Sequence, residues 1–332
     1  MTNTNSRGAD LTVSDFITRG IAPVPRLYGE ALVGAAIDDP RIVCLCADLP
    51  GSTETDLFRD RLPDRFFDAG IAEANMIGMA AGMARCGDIP FVHSFGVFVS
   101  RRCFDQIANQ IAYPRLPVKI AGFLPGLTTM LGVSHQAIDD VAMLRALPNM
   151  TIIEPAGPEQ LAGAVAAALA VDGPVYLRLK RPDDVVTNLT SRPIPTDEPG
   201  ELLRDGSDGT IFASGILVDE ALKASLLLAQ QDRSVAVVAV TRLKPLDARF
   251  VLRHCKPGNV IVTAENHSTI GGLGSAIAEI LLEAGVSVGF ARVGVKDTFA
   301  EGGSTPYLQA KYGLLAADIV AAYGHAASRR TA

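Results

Sequence analysis

The residue with the clearest capacity for chemistry is Glu73, in the segment Gly-Ile-Ala-Glu-Ala-Asn-Met over residues 70–76. The small and apolar residues around it predict a helix over 72–86, and a strand-like segment over 65–68 comes before that helix. An acid at this position faces either the helix N-terminus, where the helix dipole favours negative charge, or a pocket. This segment alone leaves both interpretations open.

An apolar segment over 91–95 is typical of a strand, and two aromatic residues mark its end: Phe95 is its last residue and Phe98 follows three positions later. Ligands of parallel α/β sheets bind at the carboxyl ends of the strands, and aromatic rings there can stack on a flat heterocycle. Ordinary packing in the core is the alternative role for both rings. Arg101 and Arg102 follow in the sequence, at the start of a helix predicted over 101–112.

Two histidines lie between predicted elements. His135 precedes a helix predicted over 137–147, where an imidazole can carry a proton or contact a substrate, or can be a solvated loop residue. His267 precedes the glycine-rich turn over 271–274, which can bind an anion but lacks the P-loop and dinucleotide-binding spacings. No His, Cys, Asp or Glu spacing typical of a metal site is present, so we expect no metal ligand in this chain.

The composition excludes several classes of protein. The 332 residues are enough for about two domains, and the formal net charge of −6 with dispersed basic residues argues against nucleic-acid binding. No apolar run approaches the ~20 residues of a membrane helix, so no membrane partner is expected. Five cysteines without metal spacing, and an N-terminus without the apolar segment of a signal peptide, predict a cytoplasmic protein with reduced thiols.

Apolar segments alternate with helical patterns along most of the chain. This alternation predicts right-handed βαβ units, and therefore an α/β fold of two doubly wound domains with mostly parallel sheets. A proline- and aspartate-rich segment interrupts the alternation and predicts a linker over 182–208. We therefore expect a flexible lead over 1–20, a first domain over 21–181, the linker, and a second domain over 209–326.

Taken together, these motifs resemble the C-terminal half of a transketolase, and more narrowly the small subunit of a split, two-subunit transketolase. The resemblance extends from about residue 26 to about residue 323, and the order and spacing of its segments make it specific. Those segments are residues 47–49, 70–76, 90–91, 94–95, 105–107, 134–136, 147–150, 173–178, 265–274 and 292–299.

The resemblance implies a pyrimidine-binding domain followed by a transketolase C-terminal domain, with thiamine diphosphate bound across a subunit interface. In this family the diphosphate and Mg²⁺ lie on another domain, which carries a Gly-Asp-Gly motif. This chain lacks the motif, and its nearest segment is Asp208-Gly209-Thr210. The resemblance therefore implies a large partner subunit that holds the diphosphate and Mg²⁺, and an α2β2 heterotetramer.

The resemblance also implies roles for the residues described above. Glu73 is the glutamate that hydrogen-bonds N1′ of the aminopyrimidine and favours the tautomer that activates the thiazolium carbon. Phe95 and Phe98 form the wall beside the pyrimidine, with Phe98 the better candidate for stacking, and His135 is a second catalytic candidate. The implied contacts to cofactor or substrate, each with a surface or capping role as the alternative, are Arg26, Ser52, Arg101, His135 and Arg181.

The loop over 123–136 departs from the family pattern and retains only its final Ser-His-Gln. Phe123 stands where the family has a substrate-binding histidine, and Met130 and Leu131 replace an acidic pair that contacts a donor hydroxyl. Leaving a buried hydroxyl unpaired costs about 1–3 kcal/mol. We therefore predict a substrate pocket with apolar contacts from Phe123 and Leu131, and a less hydroxylated donor such as a 2-oxo acid or a modified sugar.

The activity that the resemblance implies belongs to carbohydrate metabolism. It is transfer of a two-carbon ketol unit from a ketose-type donor to an aldehyde acceptor. Thiamine-dependent decarboxylation of a 2-oxo acid with acyloin formation is an alternative, as is acyl transfer by a 2-oxo acid dehydrogenase beta subunit. A non-catalytic structural subunit is the alternative from another class, although the retained Glu73 and aromatic wall argue against it.

Overall fold

The computed structural model describes residues 26–180, 193–256 and 258–330. Two mostly parallel sheets, of seven and five strands, are covered by helices. This arrangement confirms the predicted α/β fold with two doubly wound units. The predicted lead over 1–20 lies outside the described residues. Among the residues described, no helix has the length and apolar character needed to cross a membrane.

The first sheet has the strand order β10-β5-β6-β4-β3-β1-β2, and all its pairs are parallel except β10 with β5. Its strands, numbered along the chain, are Ile42–Cys46 (β1), Phe66–Asp68 (β2), Ile89–Phe95 (β3), Lys119–Phe123 (β4), Thr151–Ile153 (β5), Val175–Leu179 (β6) and Arg242–Lys244 (β10). The order changes direction between β3 and β1, and ligands of doubly wound sheets bind at such a point.

Helices cover both faces of this sheet. They are Leu27–Asp38 (α1), Asp56–Arg61 (α2), Glu73–Arg85 (α3), Gly96–Arg101 (α4), Phe104–Gln106 (α5), Asp140–Arg145 (α6) and Pro158–Leu169 (α7). Alternate side chains of β1 enter different cores: Val43 and Leu45 pack with Met76 of α3, whereas Ile42 and Cys44 pack with residues of α1 and α7. Burial on both faces explains why the strands are continuously apolar.

The second sheet has the strand order β12-β11-β8-β9-β7, with only β7 antiparallel to its neighbour. Its strands are Gly200–Arg204 (β7), Gly209–Ala213 (β8), Val235–Val240 (β9), Val260–Ser268 (β11) and Gly289–Val295 (β12). The helices around it are Leu217–Ala229 (α8), Ala248–Arg253 (α9), Leu273–Glu283 (α10), Thr305–Lys311 (α11) and Ala316–Arg330 (α12).

Two edge strands depart from the simple picture of two domains and a linker. Strand β7 falls inside the segment 182–208 for which the sequence predicted a linker, and it pairs antiparallel with β9. Strand β10 follows β9 in sequence but pairs with β5 of the first sheet. Both strands are short and are stabilised by pairing with a distant strand, so the local pattern of residues gives little sign of them.

A buried ion network joins the two sheets around Arg178 of β6. Its guanidinium donates from Nε to Asp140 at 2.9 Å, from Nη1 to Glu154 at 2.5 Å, and from Nη2 to the carbonyl oxygens of Ala137 and Asn266 at 3.1 and 2.9 Å. The side chains of Arg178 and Asp140 are fully buried. Burial alone would raise the pKa of Asp140, but the adjacent Arg178 charge holds that pKa below its ordinary value.

Asn266 of β11 connects this network to the loop that carries His135. Its side chain accepts a hydrogen bond from the Leu127 amide at 3.0 Å and donates to the Pro125 carbonyl at 3.1 Å. Gly126 has a φ of +58°, and a Cβ there would lie 2.1 Å from the Asn266 carbonyl oxygen. Only glycine fits this close approach, so the second sheet fixes the position of the loop.

His93, on the interior strand β3, should make stability depend on pH. Its Nδ1 lies 3.0 Å from the Leu45 carbonyl, so Nδ1 carries the proton and Nε2 accepts from the Tyr28 hydroxyl at 2.8 Å. Burial lowers the pKa of His93 to about 4. In the unfolded chain this histidine is protonated below about pH 6.5, whereas in the folded chain it is protonated only below about pH 4. Acidification across this range therefore favours the unfolded state and lowers the free energy of unfolding by about 3 kcal/mol.

Denaturant unfolding at a series of pH values checks this expectation. Stability should be fully present above pH 6.5 and should fall as the pH drops towards 4, and His93→Gln should flatten that slope. His325 is exposed, so His325→Gln is the matched control and should keep the wild-type slope. An unchanged slope in His93→Gln would mean that another group controls the acid limb.

Candidate active site

Glu73 is the first residue of α3, and its side chain is only 2% exposed. The hydroxyl of Ser94, near the end of β3, donates to its Oε1 at 3.1 Å. Arg102 donates from Nη1 to Oε1 at 3.2 Å and to Oε2 at 3.1 Å. These contacts are with side chains of neighbouring elements rather than with the backbone of its own helix. They favour the pocket interpretation of Glu73 over the helix-dipole interpretation.

An aromatic cluster lies beside this carboxylate. Phe95 ends β3, and its ring centroid is 5.8 Å from that of Phe98 on α4. The imidazole of His135 makes an edge contact with Phe98 at 5.0 Å and lies 5.9 Å from Phe95. Three candidate residues from separate segments of the sequence, Phe95, Phe98 and His135, thus lie together at the carboxyl end of β3.

The local helix differs from the one predicted over 101–112. A first helix, α4, begins at Gly96 and ends at Arg101, α5 spans Phe104–Gln106, and a π-helix follows over Ile107–Ala112. A Cβ at Gly96 would lie 3.1 Å from the Tyr176 hydroxyl and 3.2 Å from Cβ of Ala137, so α4 starts in close packing against the sheet. The early start places Phe98 on a helix rather than on a loop.

His135 ends a short 3₁₀ turn over Val133–His135. Its Nδ1 lies 2.9 Å from the hydroxyl of Ser134. Desolvation, and then the nearby Arg102 charge, lower the pKa of this imidazole. The ring is therefore neutral at pH 7, and a neutral imidazole can both donate and accept a hydrogen bond.

Two of the basic residues predicted to contact cofactor or substrate, Arg26 and Arg101, form ion pairs with aspartates. Arg101 donates from Nε to both carboxylate oxygens of Asp139, at 3.0 and 2.9 Å, next to the start of α6. Arg26 forms an ion pair with Asp56, the first residue of α2. The structure does not bring either arginine into contact with Glu73. Arg181 lies outside the described residues.

Ser52 and the predicted apolar loop residues have different positions. Ser52 lies half-buried in the turn after β1. Phe123 is fully buried, and its ring packs edge-on against Tyr28 at 5.6 Å. It ends the central strand β4 and offers no surface to a substrate, which corrects the predicted contact. Leu131 and its neighbour Met130 are 60% and 73% exposed, so the loop does present apolar side chains.

Arg102 also belongs to this site, although its sequence context predicted no role for it. Its guanidinium carbon lies 3.9 Å from the centroid of the Phe98 ring, in addition to its contacts with Glu73. The spacing of four residues between Phe98 and Arg102 is the signal that would have identified it, since such residues share one face of a helix. Arg101, one position earlier, is rotated away towards Asp139.

The segment nearest to a diphosphate-binding motif has a structural role. Asp208 lies just before β8, and its carboxylate accepts a hydrogen bond from the Ser234 amide at 2.7 Å. Within the part of the chain that the structure describes, no group of three or more His, Cys, Asp or Glu side chains is arranged to hold a metal ion.

Two family models match the chain and together cover most of it. The model described as the pyrimidine binding domain of transketolase matches residues 23–183, and the one described as the C-terminal domain of transketolase matches residues 199–319. The chain therefore belongs to the transketolase family. It is a transketolase-like small subunit with these two domains, as the sequence predicted.

Relatives of similar length support this assignment. A 6-deoxy-6-sulfo-D-fructose transketolase subunit, SqwH, of Clostridium sp. (strain MSTE9) is 45% identical over 91% of this chain and 94% of its own length. A putative transketolase C-terminal section of Methanocaldococcus jannaschii is 39% identical over 86% of this chain and 90% of its own length. The 1-deoxy-D-xylulose-5-phosphate synthase of Syntrophotalea carbinolica is 38% identical, but this chain spans only 48% of it.

Solved structures agree with the sequence comparisons. A split-gene transketolase described as an inactive beta4 tetramer superimposes with a TM-score of 0.82 at 44% identity, over 91% of this chain and 97% of that one. A transketolase from Pichia stipitis shares the fold with a TM-score of 0.77 at 20% identity, and this chain covers 47% of it.

Proposed function

We propose that this chain supplies the pyrimidine half of a thiamine diphosphate site in a two-subunit ketol transferase, with Glu73 as the residue that activates the cofactor. The proposal rests on the proximity of the buried Glu73 carboxylate to the half-buried ring of Phe98: the guanidinium of Arg102 contacts both groups. An aminopyrimidine has a flat face and ring nitrogens, and it needs an aromatic wall and a hydrogen-bonding acid. The residues present therefore fit the group.

When bound, thiamine diphosphate supplies a thiazolium carbon that adds to carbonyl groups and accepts the electron pair released by carbon–carbon cleavage. Glu73 holds or shares a proton at the pyrimidine nitrogen, and its burial strengthens that hydrogen bond because water does not compete for it. Ser94 orients the carboxylate through Oε1. His135 is neutral and borders the same aromatic wall, which suits it to exchange a proton with a substrate oxygen.

The diphosphate and Mg²⁺ are assigned to a large partner subunit. The sequence contains no Gly-Asp-Gly motif. The segment most similar to it, Asp208-Gly209-Thr210, leads into β8 of the second sheet, where the Asp208 carboxylate accepts a hydrogen bond from the Ser234 amide. The similar split-gene transketolase described as an inactive beta4 tetramer supports this division, since a small-subunit assembly of that kind would lack the diphosphate half. The proposed active unit is a heterotetramer of two large and two small subunits.

The proposed donor is a ketose with an anionic group, which passes a two-carbon unit to an aldehyde. The similarity to a 6-deoxy-6-sulfo-D-fructose transketolase subunit supports this class over a 2-oxo acid. The apolar loop residues Met130 and Leu131 support a donor with fewer hydroxyl contacts than a pentose phosphate.

Donor screening with the reconstituted pair tests the proposal. We expect aldehyde-dependent cleavage of sulfonated or phosphorylated ketoses, and no carbon dioxide release from 2-oxo acids in the same assay. Release of carbon dioxide from a 2-oxo acid without ketose cleavage would contradict the ketol transferase assignment and support the decarboxylase alternative.

Replacing Phe98 by Leu should weaken thiamine diphosphate binding to the pair by about 3- to 10-fold, because aromatic stacking contributes about 0.5–1.5 kcal/mol beyond burial. Isothermal titration calorimetry of the reconstituted pair measures this. Phe290 lies in the second domain, packed against the core, so Phe290→Leu is the matched control and should bind as wild type. Equal affinity in Phe98→Leu would show that the ring is not the stacking wall.

A further inference from the structure

Arg102 makes two contacts that the proposed cofactor ring also needs. Its guanidinium lies over the Phe98 ring, with 3.9 Å between the guanidinium carbon and the ring centroid. Its Nη1 donates to both oxygens of Glu73, at 3.2 and 3.1 Å. A guanidinium is planar, stacks on aromatic faces and donates hydrogen bonds, so it satisfies the same wall and the same acid as an aminopyrimidine.

The Glu73 carboxylate and the Phe98 ring have few contacts other than those with Arg102. Apart from Arg102, the hydrogen-bonding partner of the Glu73 side chain within the described residues is the Ser94 hydroxyl. The Phe98 ring is already flanked by Phe95 and by the edge contact with His135. An aminopyrimidine that stacked on Phe98 and shared a proton with Glu73 would therefore have to displace Arg102 from the ring face and from the carboxylate.

The two partners differ sharply in exposure. The Glu73 side chain is 2% exposed, whereas the Arg102 side chain is 47% exposed and follows the last residue of α4. An isolated carboxylate with that burial is strongly disfavoured, so a cation beside it stabilises the subunit without cofactor. The partly exposed arginine can move into water without a desolvation cost, whereas the buried glutamate stays out of water.

We propose that Arg102 is a displaceable counter-ion that occupies the pyrimidine position of the small subunit and leaves when thiamine diphosphate binds. The inference rests on the proposed function, since it concerns the same site. Only the fraction of subunits in which Arg102 has left this position can accept the pyrimidine ring. The apparent dissociation constant of thiamine diphosphate is therefore the intrinsic constant divided by that fraction. Arg102 therefore reduces cofactor affinity while protecting the buried acid.

Calorimetric titration of the reconstituted pair with thiamine diphosphate and Mg²⁺ tests the displacement. We expect Arg102→Met to bind about 3- to 10-fold more tightly than wild type. Arg102→Lys should fall between them, because an ammonium can pair with Glu73 but cannot stack as a plane on Phe98. Arg41 forms an exposed ion pair with Asp39, and Arg41→Met is the matched control with wild-type affinity.

Thermal unfolding of the small subunit alone tests the contact without any cofactor. Arg102→Met should lower the unfolding midpoint by about 2–4 °C. The same substitution in a Glu73→Gln background should change it little, because the neutral amide does not need a counter-ion. This cycle of single and double variants isolates the pair, since unrelated effects of Arg102 appear in both backgrounds.

Unchanged cofactor affinity in Arg102→Met would overturn the displacement, and weaker binding would show instead that Arg102 holds the cofactor. Equal midpoint shifts in both backgrounds would show that the contact with Glu73 is not formed. If the wild-type pair binds no thiamine diphosphate, the proposed function itself is wrong and the displacement is rejected with it. Binding by wild type without a change in the variant rejects only the role of Arg102.

Discussion

Glu73→Gln in the reconstituted pair should lower kcat by about 10²–10⁴-fold, the range lost when a general acid–base group is removed. Glutamine has nearly the same shape and can still accept the hydrogen bond that Ser94 donates to Glu73. It cannot exchange a proton with the pyrimidine. Steady-state ketol transfer measures the loss, and size-exclusion chromatography establishes that the large subunit is still bound.

Glu30→Gln is the matched control for this substitution. Glu30 is an exposed helical glutamate that pairs with Arg61, so its variant should keep wild-type kcat. Full activity of Glu73→Gln in an intact assembly would remove Glu73 from the mechanism. That result would also support the alternative hypothesis that this chain is a non-catalytic structural subunit, because the aromatic wall alone cannot transfer a proton.

Arg178→Met should lower the free energy of unfolding by about 3–5 kcal/mol, the effect expected when one partner of a buried ion network is removed. Asp140 and Glu154 would remain buried without their common cation, and the carbonyls of Ala137 and Asn266 would lose a donor. Chemical denaturation of the small subunit measures the change. The loss should be large because the network joins both sheets.

Two further variants make this prediction specific. Arg249 pairs with Asp247 at the surface, and Arg249→Met should change stability far less than Arg178→Met does, because water already solvates both charges. Adding Asp140→Asn to Arg178→Met should restore part of the loss, because one of the two unpaired charges is then removed. A loss for Arg178→Met no larger than that for Arg249→Met would show that the buried network contributes little to stability.

The fold could be predicted where the residues themselves determine the element. Strand β9 is continuously apolar because both of its faces are buried, and that pattern is visible in the local sequence. Helix α7 shows the helical period because one stripe of its surface is buried. Strands β7 and β10 could not be predicted this way. Each is short and carries charged residues, and each forms only because a distant strand is available for pairing.

Most residues of the candidate site could be predicted from the sequence, but their contacts with one another could not. Glu73, Phe95, Phe98 and His135 were selected by residue type and resemblance, and their contacts depend on the two sheets being folded. Arg101 and Arg102 are adjacent and chemically equivalent in the sequence, and only the direction of α4 decides which one reaches Glu73. The burial of Phe123 likewise follows from the central position of β4, which no local pattern reveals.

The split thiamine diphosphate site is tested by titrating thiamine diphosphate and Mg²⁺ into the small subunit alone and into its mixture with the candidate large subunit. We expect heat of binding only in the mixture, because the chain supplies the pyrimidine half of the proposed site and its partner supplies the diphosphate half. Tight binding by the small subunit alone would contradict the split site and would require a diphosphate-binding segment within this chain.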